Sequence, residues 1–127
     1  MASDLLPTGL DRLAAMETRD LRDLVRFDED GPRHETLFEG EHLWSEVVNL
    51  DRNQSLGTIR DDDSDAIVLV VTGRVVVQVE RSRKRLEQWE TAFVPAGSEL
   101  FITNATGDPA VVLLIAAPPP VRRAVTE

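Results

Sequence analysis

Past the turn cluster Asp28-Glu29-Asp30-Gly31-Pro32, apolar residues begin to recur at every second position, in runs too short for helices. The clearest run is Arg74–Glu80, where Val75, Val77 and Val79 share one face while Arg74, Gln78 and Glu80 lie on the other. Similar short runs cover Glu35–Phe38, Glu41–Leu50, Leu56–Arg60, Leu86–Trp89, Ala92–Val94, Glu99–Asn104 and Ala110–Ile115. Ala66–Val71 is apolar throughout, as a strand covered on both faces would be. Most of these runs are closed by Gly, Pro, Asn or Asp. The last is stopped by Pro118-Pro119-Pro120, three residues without an N–H donor. Many short strands at near-regular spacing predict an all-β sandwich or barrel. A chain of 127 residues has one core, and closing it into a jelly roll best protects its sheet edges.

The first 33 residues read differently, as an N-terminal extension. Residues 4–16 allow a short helical turn that Thr8 would cap. Within Asp20–Phe27, Leu21, Leu24 and Val25 suit a helical face, yet residues 24–27 also suit a strand. The expected organisation is an extension over 1–33, a β-barrel over 34–120 and a tail over 121–127.

Composition narrows the partners. A formal net charge of −9 opposes nonspecific nucleic-acid binding, because phosphates are countered by Lys and Arg. The local exception is Arg81-Ser82-Arg83-Lys84-Arg85, with no aromatic residues interleaved, which reads as a solvated hairpin tip. The longest apolar runs, residues 66–71 and 110–117, are too short to span a bilayer, so no membrane partner is expected. The N-terminus lacks the basic start and apolar core of a signal peptide, and the chain has no cysteine. Disulfides and thiolate chemistry are thereby ruled out, and a cytoplasmic location is expected.

Two segments carry a family resemblance. Pro95-Ala96-Gly97-Ser98-Glu99-Leu100-Phe101-Ile102-Thr103-Asn104 resembles the second motif of the cupin superfamily, with Pro95, Gly97 and Asn104 matching. Val71-Thr72-Gly73-Arg74-Val75 resembles the glycine hairpin that closes the first motif. The resemblance covers roughly residues 35–120 and implies a cupin-type double-stranded β-helix, a jelly-roll barrel with a short N-terminal extension. It also implies where metal ligands would stand. The histidine pair would fall on Arg60 and Asp62, or on Ile59 and Asp61 at the longer spacing. The glutamate would fall on Ala66 and the last histidine on Leu100, while Trp89 replaces the opening glycine of the second motif. Alanine and leucine offer no donor to a transition metal. No metal and no other cofactor is therefore expected. Family habit, with residues 20–40 able to add a strand to a neighbour's sheet, implies a homodimer.

Other candidate chemistry is sparse. Asp61, Asp62, Asp63 and Asp65 lack the glycine and distal glutamate of an EF-hand loop, so a solvated acidic loop is the simpler reading. In a barrel, Asp61 or Asp62 would point into the mouth. The only histidines are His34 and His42. His42 shares strand parity with Trp44 and Glu46: facing inward, these give an acid/base pair beside a stacking wall; facing outward, they are surface residues. Sugar-nucleotide epimerases of the cupin family use a tyrosine acid, and this chain has no tyrosine. Ser98 reads as a turn hydroxyl. Trp44 and Trp89 are expected in the core, Trp89 partly plugging one barrel end.

The expected interior is lined by Val68, Val70, Val75, Val77, Leu100 and Ile102. The expected ligand pocket is His42, Trp44, Glu46, Arg60, Asp62, Ala66, Val68, Leu100 and Ile102. Such a pocket suits a small, largely apolar ligand. The functional expectation is a metal-free cupin-like protein that binds such a molecule or serves a regulatory or structural role. The alternative is a cupin enzyme, an isomerase, lyase or metal-dependent dioxygenase, with a non-standard site around His42, Glu46 and Asp61/Asp62. A third reading is a fully packed barrel that acts only as an interaction module.

Overall fold

The computed structural model describes residues 15–120. A single 3₁₀ turn, Leu21–Leu24, precedes nine strands among these residues: β1 (Arg33–Glu39), β2 (Trp44–Leu50), β3 (Ser55–Ile59), β4 (Asp65–Thr72), β5 (Arg74–Val79), β6 (Ser82–Glu87), β7 (Thr91–Val94), β8 (Leu100–Thr103) and β9 (Ala110–Ala117). They form a five-stranded sheet in the order β1-β2-β9-β4-β7 and a four-stranded sheet in the order β3-β8-β5-β6, with every strand pairing antiparallel. The expected all-β jelly-roll barrel is the observed architecture. The helical turn expected near Thr8 and the tail over 121–127 lie outside the described residues.

Alternation explains the core. In the larger sheet the inward positions stack in rows across the strands: Trp44, Ala116, Ala66 and Val94; then Glu46, Leu114, Val68 and Ala92; then Val48, Val112 and Val70. Of these, Val48, Val68, Val70, Val94, Val112 and Leu114 meet Leu56, Val75, Val77, Leu86, Leu100 and Ile102 from the smaller sheet in one buried cluster, with Ala66 and Ala92 packed against it. A second cluster lies outside the larger sheet, where Leu24 of the 3₁₀ turn packs on Val47, Val111 and Leu113. The turn itself is capped by Asp20, whose side chain accepts from the Arg22 N–H. Residues 20–27 thus settle both readings in sequence: a tight turn to Leu24, then extended backbone at Val25.

Several expectations are corrected. The strand foreseen from Glu41 starts at Trp44, because residues 40–43 form the β1–β2 connection, closed by Gly40 N–H donating to the Leu43 carbonyl at 2.8 Å. Only Arg81 of the basic cluster stands at the hairpin tip, in the turn between β5 and β6; Arg83, Lys84 and Arg85 continue along β6, paired with Gln78, Val77 and Val76. β6 is a sheet edge, and a row of cations there opposes pairing with another chain. The run foreseen over Leu86–Trp89 ends as a strand at Glu87. Trp89 plugs nothing, being 69% exposed with φ at 75°. That left-handed conformation is what a glycine adopts freely, which accounts for the glycine this position has in the resembling motif. Residues 33–39, inside the segment expected to reach a neighbour's sheet, form β1, which pairs with β2 on one side and is the edge strand of the larger sheet.

Gly73 turns the chain between β4 and β5 with φ at 84°, and a Cβ there would stand 2.6 Å from the Pro109 carbonyl oxygen and 2.8 Å from Ala110 Cα. Both contacts are backbone, so neither can rotate away. Gly73→Ala is expected to cost about 3 kcal/mol, the sum of the left-handed penalty and a forced backbone shift, read as a lower urea midpoint at unchanged slope.

Candidate functional site

The row of inward residues nearest one end of the barrel holds two alanines side by side, Ala116 and Ala66, between Trp44 and Val94. Small side chains there leave room that the valines and leucines two rows down would fill. The result is a cavity of about 750 Å³, open at its mouth, with Leu56, Ile59, Leu100, Leu114 and the Trp44 indole among its apolar walls. Polar groups also line it: His34, Glu46, Thr58, Arg60, Asp61, Ser64 and Ser98.

Loop contacts place the acids. Asp61 Oδ1 accepts the Asp63 N–H at 2.9 Å in a local Asx turn. The Gly97 N–H donates to the Asp61 carbonyl at 2.9 Å, and the Ala96 N–H donates to Asp65 Oδ1 at 2.9 Å. The Pro95-Ala96-Gly97 turn, with Gly97 at φ 86°, therefore locks the 61–65 loop against the mouth. Asp61 Oδ2 is buried in this arrangement and meets no hydrogen-bond donor among the described residues. Asp62 faces solvent instead and pairs with Arg60 Nε at 3.0 Å.

Of the residues expected in the pocket, Trp44, Glu46, Arg60, Ala66 and Leu100 line the cavity. His42 does not: it sits in the β1–β2 connection with its side chain 89% exposed, where strand parity no longer applies. Asp62 is displaced by Asp61, its neighbour, because the Asx turn directs the 61 side chain inward. Val68 and Ile102 are fully buried beneath the cavity, in the packed core, as are Val70, Val75 and Val77 of the expected interior.

The histidine that does reach the site is His34. Its Nδ1–H donates to Glu46 Oε2 at 3.0 Å, the carboxylate being able only to accept. Register explains the meeting: His34 is opposite Val48 and Glu46 is opposite Thr36, so the pair is a diagonal cross-strand contact. Seeing it in sequence requires the β1–β2 register, which the bulge between Thr36 and Phe38 obscures. The Glu46 hydrogen bond raises the His34 pKa above its usual 6.5, with burial opposing and the carboxylate's charge assisting.

Known proteins share this architecture. No protein-family model matches the chain, and no curated protein matches it either. Among solved structures, the TT1209 protein from Thermus thermophilus superposes with a TM-score of 0.79 at 28% identity, over 83% of this chain and 100% of that one. An RmlC-like cupin protein from Desulfovibrio desulfuricans gives 0.75 at 20% identity, over 83% and 99% of the two chains. A Klebsiella pneumoniae protein described by its double-stranded β-helix domain gives 0.76 at 14%, over 82% and 91%. The chain has the cupin fold.

The cupin fold raises the question of a metal, and the donor set here does not fit one. Two of the implied ligand positions are Ala66 and Leu100, both in the cavity wall, and a third is the Arg60 cation. Among the described residues no group of three or more His, Asp or Glu converges as a cation would require. No described helix is long and apolar enough to cross a membrane.

The His34–Glu46 pair has a pH signature. With its folded pKa raised, His34 contributes stability that is full below the unfolded value near 6.5 and is lost as pH rises through the higher folded value. The imidazole proton resonances followed by NMR should titrate above 6.5, and Glu46→Gln should bring that midpoint down.

Proposed function

We propose that this cupin-fold protein binds a small, largely apolar organic molecule in the mouth of its barrel. The observation that carries the reading is the cavity of about 750 Å³, walled largely by apolar side chains with a few polar groups among them. That size and this distribution of groups are those of small-molecule sites. A barrel serving only as an interaction module has no need of the space that Ala66 and Ala116 leave. Binding rather than redox chemistry follows from the donor set: the rim holds groups that orient a ligand by hydrogen bonds.

The test is a neutral, environment-sensitive dye, N-phenylnaphthylamine, titrated into the protein. Binding with enhanced fluorescence is expected, and Ala66→Phe, which fills the mouth, should weaken it by roughly 10-fold or more with the circular dichroism unchanged. Dye binding that ignores Ala66→Phe, or none at all, defeats the proposal.

The homodimer belongs to the same reading. Ile67 and Phe93 are cross-strand partners on the outer face of the larger sheet, 43% and 59% exposed, and a second copy would cover them. Light scattering on the wild-type chain should give a dimer mass that Phe93→Arg reduces to that of one chain. A monomeric wild type removes this part.

A further inference from the structure

In a chain of 23 acidic and 14 basic residues, four cations fall within 81–85, and Arg74 stands near them on β5. All five are exposed. Arg22, Arg33 and Arg60 each pair with a carboxylate, whereas Arg74, Arg81, Arg83, Lys84 and Arg85 form no ion pair among the described residues. The acid beside the cluster is engaged elsewhere: Glu80 Oε2 accepts the Glu99 N–H at 2.7 Å. Glu87 is the one acid on β6, and it lies opposite Arg74 at the far end of the strand. Leu86 is the buried residue of β6, so Arg83 and Arg85, of the other parity, face out from the smaller sheet. There Arg83 Nη1 donates to Gln78 Oε1 at 3.0 Å, which lays this side chain along the sheet surface.

Solvent alone would account for exposed cations, but the backbone beneath them is also unpartnered. The β5–β6 hairpin turns through Glu80 and Arg81, with Val79 opposite Ser82. Along such a ladder, residues alternate between pointing N–H and C=O at the partner strand and pointing them away. Glu87 marks the parity: its N–H donates to Glu90 Oε1 and its carbonyl accepts the Glu90 N–H, both at 2.9 Å, so its groups point away from β5. Arg83 and Arg85 share that parity, and on that side the smaller sheet has no further described strand. Two free donors, two free acceptors and two guanidinium groups therefore alternate along one edge.

We propose that β6 is a docking edge for an extended acidic segment of a partner protein. The segment adds a fifth strand to the smaller sheet, bonds through its main chain to Arg83 and Arg85, and sets one carboxylate opposite each arginine. The cations that keep a second β6 away, like charges being opposed, select a strand of the other sign. An oligonucleotide matches the charge but offers little to the two carbonyls. It would also meet a net charge of −9 and a strand without aromatic residues on which bases could stack. No residue of β6 lines the cavity, so this surface is independent of the barrel mouth.

The probe is the peptide Thr-Glu-Val-Glu-Thr, amidated and labelled with a neutral fluorophore, followed by anisotropy with the whole chain at about 50 mM salt. It is expected to bind ~10-fold or more tightly than Thr-Lys-Val-Lys-Thr. Methylating both glutamate backbone nitrogens keeps the charges and removes the donors, and should weaken binding by about 10-fold. Arg83→Glu together with Arg85→Glu should reverse the preference, and the lysine peptide's gain would itself show that the variant folds. A methylated peptide, or an oligothymidylate of the same length, that binds as well as the glutamate peptide overturns the proposal, because charge alone then explains the affinity. A glutamate preference that survives the double reversal also overturns it, as does no binding at about 1 mM peptide. If the variant does not fold, the three peptides and the oligothymidylate on the wild-type chain decide the matter alone.

Discussion

Three connections of the chain converge on Ala110, the first residue of β9, and the rest of the fold hangs from that point. Asn104, fully buried, donates through Nδ2 to the carbonyls of Leu50 and Asp51 at 3.1 Å and of Asp108 at 2.7 Å. Two N–H groups serve three acceptors, so one hydrogen is shared. Its Oδ1 accepts from the Thr106 N–H at 3.0 Å and the Thr106 hydroxyl at 2.8 Å. One side chain thereby ties the end of β2 to the β8–β9 loop and sets Leu50 opposite Ala110. The Gly73 turn presses on Ala110 from the other side, at a distance only a glycine permits. β9 then enters between β2 and β4, and without it the larger sheet would fall into two separate parts.

That end of the barrel is packed shut, and the cavity lies towards the other. From Leu50 to Trp44 is six residues of strand, about 20 Å at the usual rise. The valine-rich rows between them bury the apolar area that sustains the fold. The mouth row is therefore free to hold small residues. Two alanines there sacrifice packing, and Glu46 and Asp61 place polar groups where water is scarce. Each weakens the local structure, and the distant closed end is what permits it. Separation of this kind lets one barrel keep its shape while its mouth changes chemistry.

This division also explains how far the residues can be read from sequence. Gly73, Gly97 and Asn104 stand out because backbone geometry leaves few alternatives to them, and such positions form a recognisable pattern. Val75, Val77 and Val68 are legible as core because a buried strand face admits little else. His42 misleads because its parity with Trp44 and Glu46 runs past the end of the strand into a turn. His34 stays hidden because its partner is reached only through a cross-strand register shifted by a bulge. Asp61 and Asp62 are separated by a loop geometry that local sequence does not carry: the Asx turn at Asp61 is held by the distant Gly97 N–H on the Asp61 carbonyl. Trp89 reads as core by its size, whereas its left-handed φ puts it on a turn. Local patterns resolve face and turn; a site lined from seven strands and the loops between them needs register.

The replacement of a glutamate position by Ala66 and a histidine position by Leu100 changes more than the loss of two donors. Each removes a polar group that would have demanded a partner in the barrel, and each adds apolar wall. Were nothing else altered, the mouth would hold a hydrocarbon as well as anything. Asp61, tied in place through its Asx turn and the Gly97 N–H, keeps an acid beside that apolar wall, as Glu46 does from β2.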